Sequence, residues 1–185
     1  MKKIDQNSSY HNRHHKRFKR TLDFIQELDL GDARILDLGP PNPLSAMLSD
    51  AGYKVDNTNV GQDLDLDFNI VTNPGYDVVT AFEIIEHMVS PFPLLRAIAA
   101  NKLVISVPLS LWFAKAYWSE TDPYDRHYHE FEPRQLKMLL EKAGWKVMRE
   151  RKFTSYDIKP GIRPLLRMVT PRHYFVYCER TESSN

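Results

Sequence analysis

Three short stretches of this chain hold residues able to do chemistry. Asp37 and Gly39, followed by Pro40, Pro41, Asn42 and Pro43, close an apolar run. A strand, a tight turn and a helix start in that order let backbone groups approach a nucleotide-like ligand. Glu83, Glu86 and His87 place two carboxylates and an imidazole within one turn of a helix. Arg126, His127, His129 and Glu130 crowd a polar segment, where an imidazole titrating near neutrality can take up a proton and the flanking charges can orient a substrate. Local hydrogen bonding among loop residues accounts for that last group as well.

Metal chemistry is not expected at either cluster of ligand-type residues. Glu86 and His87 match the end of a zinc-binding HxxEH pattern, but Glu83 stands in the first histidine position and no further ligand is evident. His11, His14 and His15 can share a helix face. They sit, however, where seven Lys and Arg face Asp5 alone over residues 1–20, which reads as a solvated basic arm.

These residues need a scaffold, and 185 residues supply one domain. A hydrophobic fraction of 42% and a charged fraction of 26% exclude wholesale disorder. With 25 Lys and Arg against 24 Asp and Glu, the net charge of +1 is too balanced for a general binder of polyanions. The N-terminal residues lack the apolar stretch of a secretory signal, no window approaches a membrane span, and the lone Cys178 cannot form an internal disulfide. A reducing, cytoplasmic setting is the expectation.

Alternating strand and helix signals predict an α/β sheet of mostly parallel strands. Residues 33–38, 53–59, 76–82 and 102–107 read as strands, with 145–153 and 173–179 closing the sheet, and 63–68 alternates with period two as a strand or extended loop. Helices are expected from Phe18 to before Gly31, over 42–51, over 83–101 with interruptions at Pro91 and Pro93, and from Pro133 to the stop at Gly144. The aromatic and then polar run 111–130 reads as a loop or lid. In the basic, proline-broken stretch 159–172, Lys159, Arg163, Arg167 and Arg172 interleave with apolar residues. It suits either contact with an anionic membrane surface or a solvated edge. The division expected is a basic arm over 1–17, one domain over 18–180 and a tail over 181–185.

In that order the blocks ILDLG (35–39), YDVVTAFEIIEHM (76–88), KLVISVPLS (102–110) and HYHEFEPRQLKMLLEKAGW (127–145) resemble those of class I S-adenosylmethionine (SAM) dependent methyltransferases of the small-molecule type. The resemblance implies a Rossmann-like sheet of about seven strands, SAM as cofactor, and a small-molecule or glycan- or lipid-linked acceptor. Carried over by position, it implies that Asp37, Gly39 and Pro40 lie beside the methionine part of SAM. It further implies Asn59 at the ribose hydroxyls, Asp65 and Leu66 at the adenine, and Ala81, Phe82 and Glu83 beneath the sulfonium. For a hydroxyl acceptor, His127 or His129 is the expected base and Arg126 or Glu130 the orienting group, while Trp112 and Tyr117 are expected to wall the acceptor pocket. No Asn/Asp-Pro-Pro-aromatic motif ends the strand at 76–82, where the chain reads Ala81, Phe82, Glu83, Ile84, which disfavours adenine-N6 and glutamine chemistry and leaves an oxygen or simple nitrogen acceptor.

Three departures from the family pattern carry expectations of their own. Pro41 and Pro43 stand where the family has glycines, Asn59 replaces the usual acid, and too little chain lies between Asn59 and Asp65, and again between Phe68 and Tyr76, for the helices the family has there. Proline fixes φ and removes a donor, so a different turn conformation and a trimmed sheet edge are expected. A non-catalytic binding or scaffold module of the same fold is the second reading, and RNA association through the basic arm the third.

Overall fold

The computed structural model describes residues 9–154 and 161–181. Strands β1 (Arg34–Asp37), β2 (Lys54–Asn57), β3 (Val78–Phe82) and β4 (Lys102–Pro108) pair in parallel. Strands β5 (Trp145–Phe153) and β6 (His173–Arg180) complete a six-stranded sheet in the order β2-β1-β3-β4-β6-β5, with β6 antiparallel to both neighbours. The helices are α1 (Ser9–Gln26), α2 (Pro43–Asp50), α3 (Pro91–Ala97), α4 (Pro133–Lys142) and α5 (Ile162–Val169).

Successive side chains of a strand point to opposite faces, and the core divides accordingly. Ile35, Val78 and Val104 pack with Phe24 and Ile25 of α1 and Leu44 and Leu48 of α2. Leu36, Val79 and Leu103 pack with Leu94 and Leu95 of α3 and Leu136 and Leu140 of α4. Because both faces are covered, the central strands read as apolar runs rather than alternating ones. Each such buried side chain contributes about 1.5–3 kcal/mol, and truncating the fully buried Leu103 to Ala is expected to cost about 2–5 kcal/mol because a cavity is left. Helix α4 starts on a capping box between Glu132 and Gln135, with Pro133 at its first position, and stops before Gly144 at φ +87.

Several elements differ from the sequence expectation, each for a local reason. Within 63–68, residues 64–66 form a turn rather than a strand, so among the described residues the sheet has six strands rather than about seven. Asp63 accepts the Asp65 N–H on its side chain at 2.9 Å and the Asp67 N–H on its carbonyl at 2.8 Å, and such bonds compete with a strand ladder. Strand β2 ends at Asn57, two residues before Asn59. The helix expected over 83–101 is reduced to a 3-10 turn at Ile85–His87 and the short α3. Helix α1 begins at Ser9, so the expected boundary at residue 18 falls inside a helix. Pro164 does not break α5: it lies in the first turn, where backbone N–H groups have no intrahelical partner. The start of the basic arm, the His11 side chain, Lys159 and residues 182–185 lie outside the described residues.

Candidate active site

The strand order reverses between β1 and β3, and at such a switch the carboxyl ends of the strands leave a crevice. Pairing register sets Asp37 of β1 beside Asn57 of β2 and Thr80 of β3 at this rim. Asp37 is buried. Thr80 Oγ1 donates to its Oδ1 at 2.6 Å and Asn57 Nδ2 to its Oδ2 at 3.1 Å. Burial raises the Asp37 pKa to about 6, with these hydrogen bonds opposing the rise. Gly39 follows at φ +104, and a Cβ there would press on Ile84 Cδ1 at 3.1 Å, so the turn requires glycine.

The proline-bearing turn then starts a helix. Asn42 Oδ1 accepts the N–H groups of Leu44 and Ser45 at 2.9 and 3.2 Å, and Ser45 Oγ accepts the Asn42 N–H at 2.9 Å. Pro43 occupies the first helical position, where a missing donor costs nothing. With its first donors taken, α2 offers little to an anion.

At the end of β3, Glu83 adopts φ +56, a left-handed conformation that costs a non-glycine residue about 1–3 kcal/mol. Its carboxylate accepts from Ser106 Oγ and from Arg17 Nη1, both at 3.0 Å. His173 Nδ1 stands 3.5 Å off, too far for a well-formed hydrogen bond, so Arg17 is the firmer partner. Burial opposes ionisation of Glu83, but His173, Arg17 and Ser106 outweigh it and lower its pKa to about 2.

Glu86, in the 3-10 turn, is fully buried, and neither of its carboxylate oxygens has a hydrogen-bond partner. Burial, with the Glu83 charge adding to it, pushes its pKa well above the usual carboxylate range. The Glu86 backbone carbonyl accepts the N–H groups of Tyr128 and His129 at 2.8 and 3.2 Å, which fastens the loop to the turn. His127 is thereby set edge-on to His87, with ring centroids 4.8 Å apart. His87 Nδ1 lies 3.1 Å from the Arg126 carbonyl. A carbonyl only accepts, so Nδ1 carries a proton. In the neutral ring Nε2, 3.9 Å from Glu86 Oε1, keeps its lone pair. His127 Nδ1 is buried without a partner, and burial together with His87 lowers the His127 pKa to about 4.

Asp37 and Gly39 share one cleft of about 970 Å³ with Glu83, Glu86, His87 and His127. Residues 10–150 match the model of the methyltransferase-domain family. The chain belongs to that family. Its fold is that of a SAM-dependent methyltransferase from Archaeoglobus fulgidus, 18% identical with a TM-score of 0.63, the match covering 94% of this chain and 100% of that one. A putative SAM-dependent methyltransferase from Listeria monocytogenes matches at 13% identity and TM-score 0.63, over 90% of this chain and 99% of the other. The Burkholderia thailandensis 1,6-didemethyltoxoflavin-N1-methyltransferase, solved with 1,6-didemethyltoxoflavin and S-adenosylhomocysteine, matches at 17% identity and TM-score 0.60, over 89% and 79%. No curated protein matches the sequence.

Within this methyltransferase domain the residues singled out from sequence separate into two groups. Asp37, Gly39, Pro40, Phe82, Glu83, Tyr117 and His127 line the cleft. The others lie elsewhere. Asn59 is exposed beyond the end of β2, and Asn57 holds the strand-end place. Asp65 accepts the N–H groups of Val89 and Ser90, both at 2.8 Å, while Leu66 is exposed. Ala81 is buried in the core. His129 Nε2 lies 3.2 Å from the Val89 carbonyl, and its ring stacks on Phe131. Arg126 covers the Trp118 ring at 4.4 Å, Glu130 accepts the Tyr117 N–H at 3.2 Å, and Trp112 is exposed. Sequence reasoning missed Arg17, Asn57, Ser106 and His173. It also missed the convergence of Glu86 and His87 with His127, which arises from contacts some forty residues apart in the chain.

Proposed function

We propose that this methyltransferase-domain protein uses SAM to methylate a hydroxyl of a small-molecule or glycan- or lipid-linked acceptor. The observation that carries the reading is the single cleft joining the Asp37–Gly39 rim to His87 and His127. Its volume of about 970 Å³ lies at the upper end of the range for small-molecule sites. Asp37 offers a buried carboxylate toward a cationic group, and the capped start of α2 suits a nucleoside that lacks phosphate. Asp37, Gly39 and Pro40 would hold the methionine end, and Phe82 and Glu83 the region of the sulfur.

When bound, SAM would supply an electrophilic methyl group to the acceptor oxygen, leaving as the neutral thioether while the hydroxyl proton goes to solvent. The chain's main task is alignment. His127, with its pKa lowered to about 4, is unprotonated at neutral pH and orients the acceptor by accepting from it. His129, turned to the Val89 carbonyl, is less suited to that role. Calorimetry of the full chain with SAM and with S-adenosylhomocysteine is expected to give one-to-one binding, weakened by Asp37→Ala and by Gly39→Val. A folded protein that binds neither compound would favour the scaffold reading instead.

A second reading concerns where the acceptor lies. Helix α5 buries no residue, exposes Ile162, Leu165, Met168 and Val169, and carries Arg163 and Arg167. An apolar face flanked by arginines suits an anionic membrane surface. Among the described residues, no helix is long and apolar enough to cross a membrane, so such contact would be peripheral.

A further inference from the structure

Glu86 is the least explained group in the cleft. A buried carboxyl with neither oxygen hydrogen-bonded costs stability unless a partner arrives. The two histidines beside it are set up as electron-pair donors. His87 spends its Nδ1 proton on the Arg126 carbonyl, which leaves Nε2 for a ligand. A histidine that binds a metal usually anchors its other nitrogen in this way. His127 presents a buried Nδ1 with no partner. One ligand atom from each of the three residues lies within 4.8 Å of the other two. Around a tetrahedral ion such atoms sit about 3.4 Å apart, so small side-chain rotations close the site. The loop that brings His127 is held on the Glu86 backbone by the Tyr128 and His129 amides, which makes the arrangement a built one.

We propose that Glu86, His87 and His127 bind a divalent transition-metal ion whose open coordination position faces the cleft and takes the acceptor hydroxyl. Two imidazoles and one carboxylate with an open position form a donor set suited to zinc or iron(II). Coordination acidifies a hydroxyl, and the ion, which takes the His127 lone pair, then holds the acceptor in place of the direct hydrogen bond to His127. The sequence offered only Glu86 and His87; the fold supplies the further ligand. The role toward the acceptor rests on the proposed methyltransferase reading, whereas the ion site itself does not.

The test uses the full chain stripped with a chelator and titrated with Co2+ alone, read by its visible d–d absorption, then with Zn2+ in competition. One equivalent of Co2+, displaced by Zn2+, is expected. Glu86→Gln and His127→Ala should each weaken Co2+ binding at least about ten-fold, and His15→Ala should leave it unchanged. Glu86→Gln removes an unpaired buried acid, so the metal-free variant should melt no lower than the wild type, while the rise in Tm that Zn2+ gives the wild type should disappear. Absence of the absorption band, or binding that survives undiminished in both variants, overturns the site. SAM calorimetry on the same samples separates the two claims. SAM binding without Co2+ binding rejects the ion site alone. Co2+ binding without SAM binding supports the site and rejects the methyltransferase reading.

Discussion

Arg17 of α1 donates to Glu83 at 3.0 Å across 66 residues of chain, tying the N-terminal helix to the strained residue that leads out of β3. The side chains are only 20% and 13% exposed, so removing one leaves the other buried without its main partner, at a cost of about 3 kcal/mol or more. Arg17→Ala is expected to lose about that much in urea unfolding at neutral pH, and adding Glu83→Gln should recover part of the loss. Because the folded pKa of Glu83 is lowered to about 2, its contribution is complete above the unfolded value near 4.5 and disappears as pH falls toward 2. The gap between wild type and Arg17→Ala should therefore narrow between pH 6 and pH 2.5. A gap that stayed constant would reject the ion-pair account.

Asp37 predicts the opposite trend. Its folded pKa is raised from 3.8 to about 6, chiefly by burial, so ionising it in the folded state costs free energy. That cost is absent below about pH 4 and fully present above about pH 6, amounting to about 3 kcal/mol. Relative to Asp37→Asn, the wild type should lose stability over that window when the two are compared by denaturant unfolding. Parallel stability curves from pH 4 to pH 7 would show that Asp37 is not held in this way.

The sheet was legible in the sequence because burial on both faces left β1, β3 and β4 as apolar runs. Gly39 and Gly144 marked real ends for the reason glycine always does, a positive φ. Legibility failed where non-local or side-chain bonds decided the outcome. The period-two run 63–68 has strand alternation, yet Asp63 turns it through its own hydrogen bonds. Pro164 looked like a break because its position in a first turn cannot be known before the helix is. At the site, Glu86, His87 and His127 were each visible as chemistry-bearing residues. Their meeting depends on loop amides bonding a single carbonyl, which no local pattern encodes. Arg17 was read as part of a solvated arm because its partner, Glu83, is remote in sequence.

Asp65 separates a structural role from a ligand role. Both of its oxygens are committed to the amides of Val89 and Ser90 ahead of α3, which leaves little for an adenine. Asp65→Ala is expected to cost about 1–2 kcal/mol of stability, as losses of helix-end caps do, with SAM affinity changed less than about two-fold on the calorimetric scale. A large loss of affinity in a variant of undiminished stability would restore the adenine contact.

Helix α5 makes a claim about surfaces that a flotation assay can settle. Burying Ile162, Leu165, Met168 and Val169, all exposed in the free protein, gains about 25 cal/mol for each Å² removed from water. Arg163 and Arg167 add about 1 kcal/mol each near an anionic leaflet. The two contributions fail differently. Leu165→Glu should abolish flotation with phosphatidylserine vesicles at every salt concentration, because it places a charge in the apolar face. Arg163→Glu should weaken it most at low salt, where screening is least. Neutral phosphatidylcholine vesicles should capture little protein. If the wild type fails to float with anionic vesicles at low salt, the exposed face of α5 has some other use, and the acceptor need not be membrane-bound.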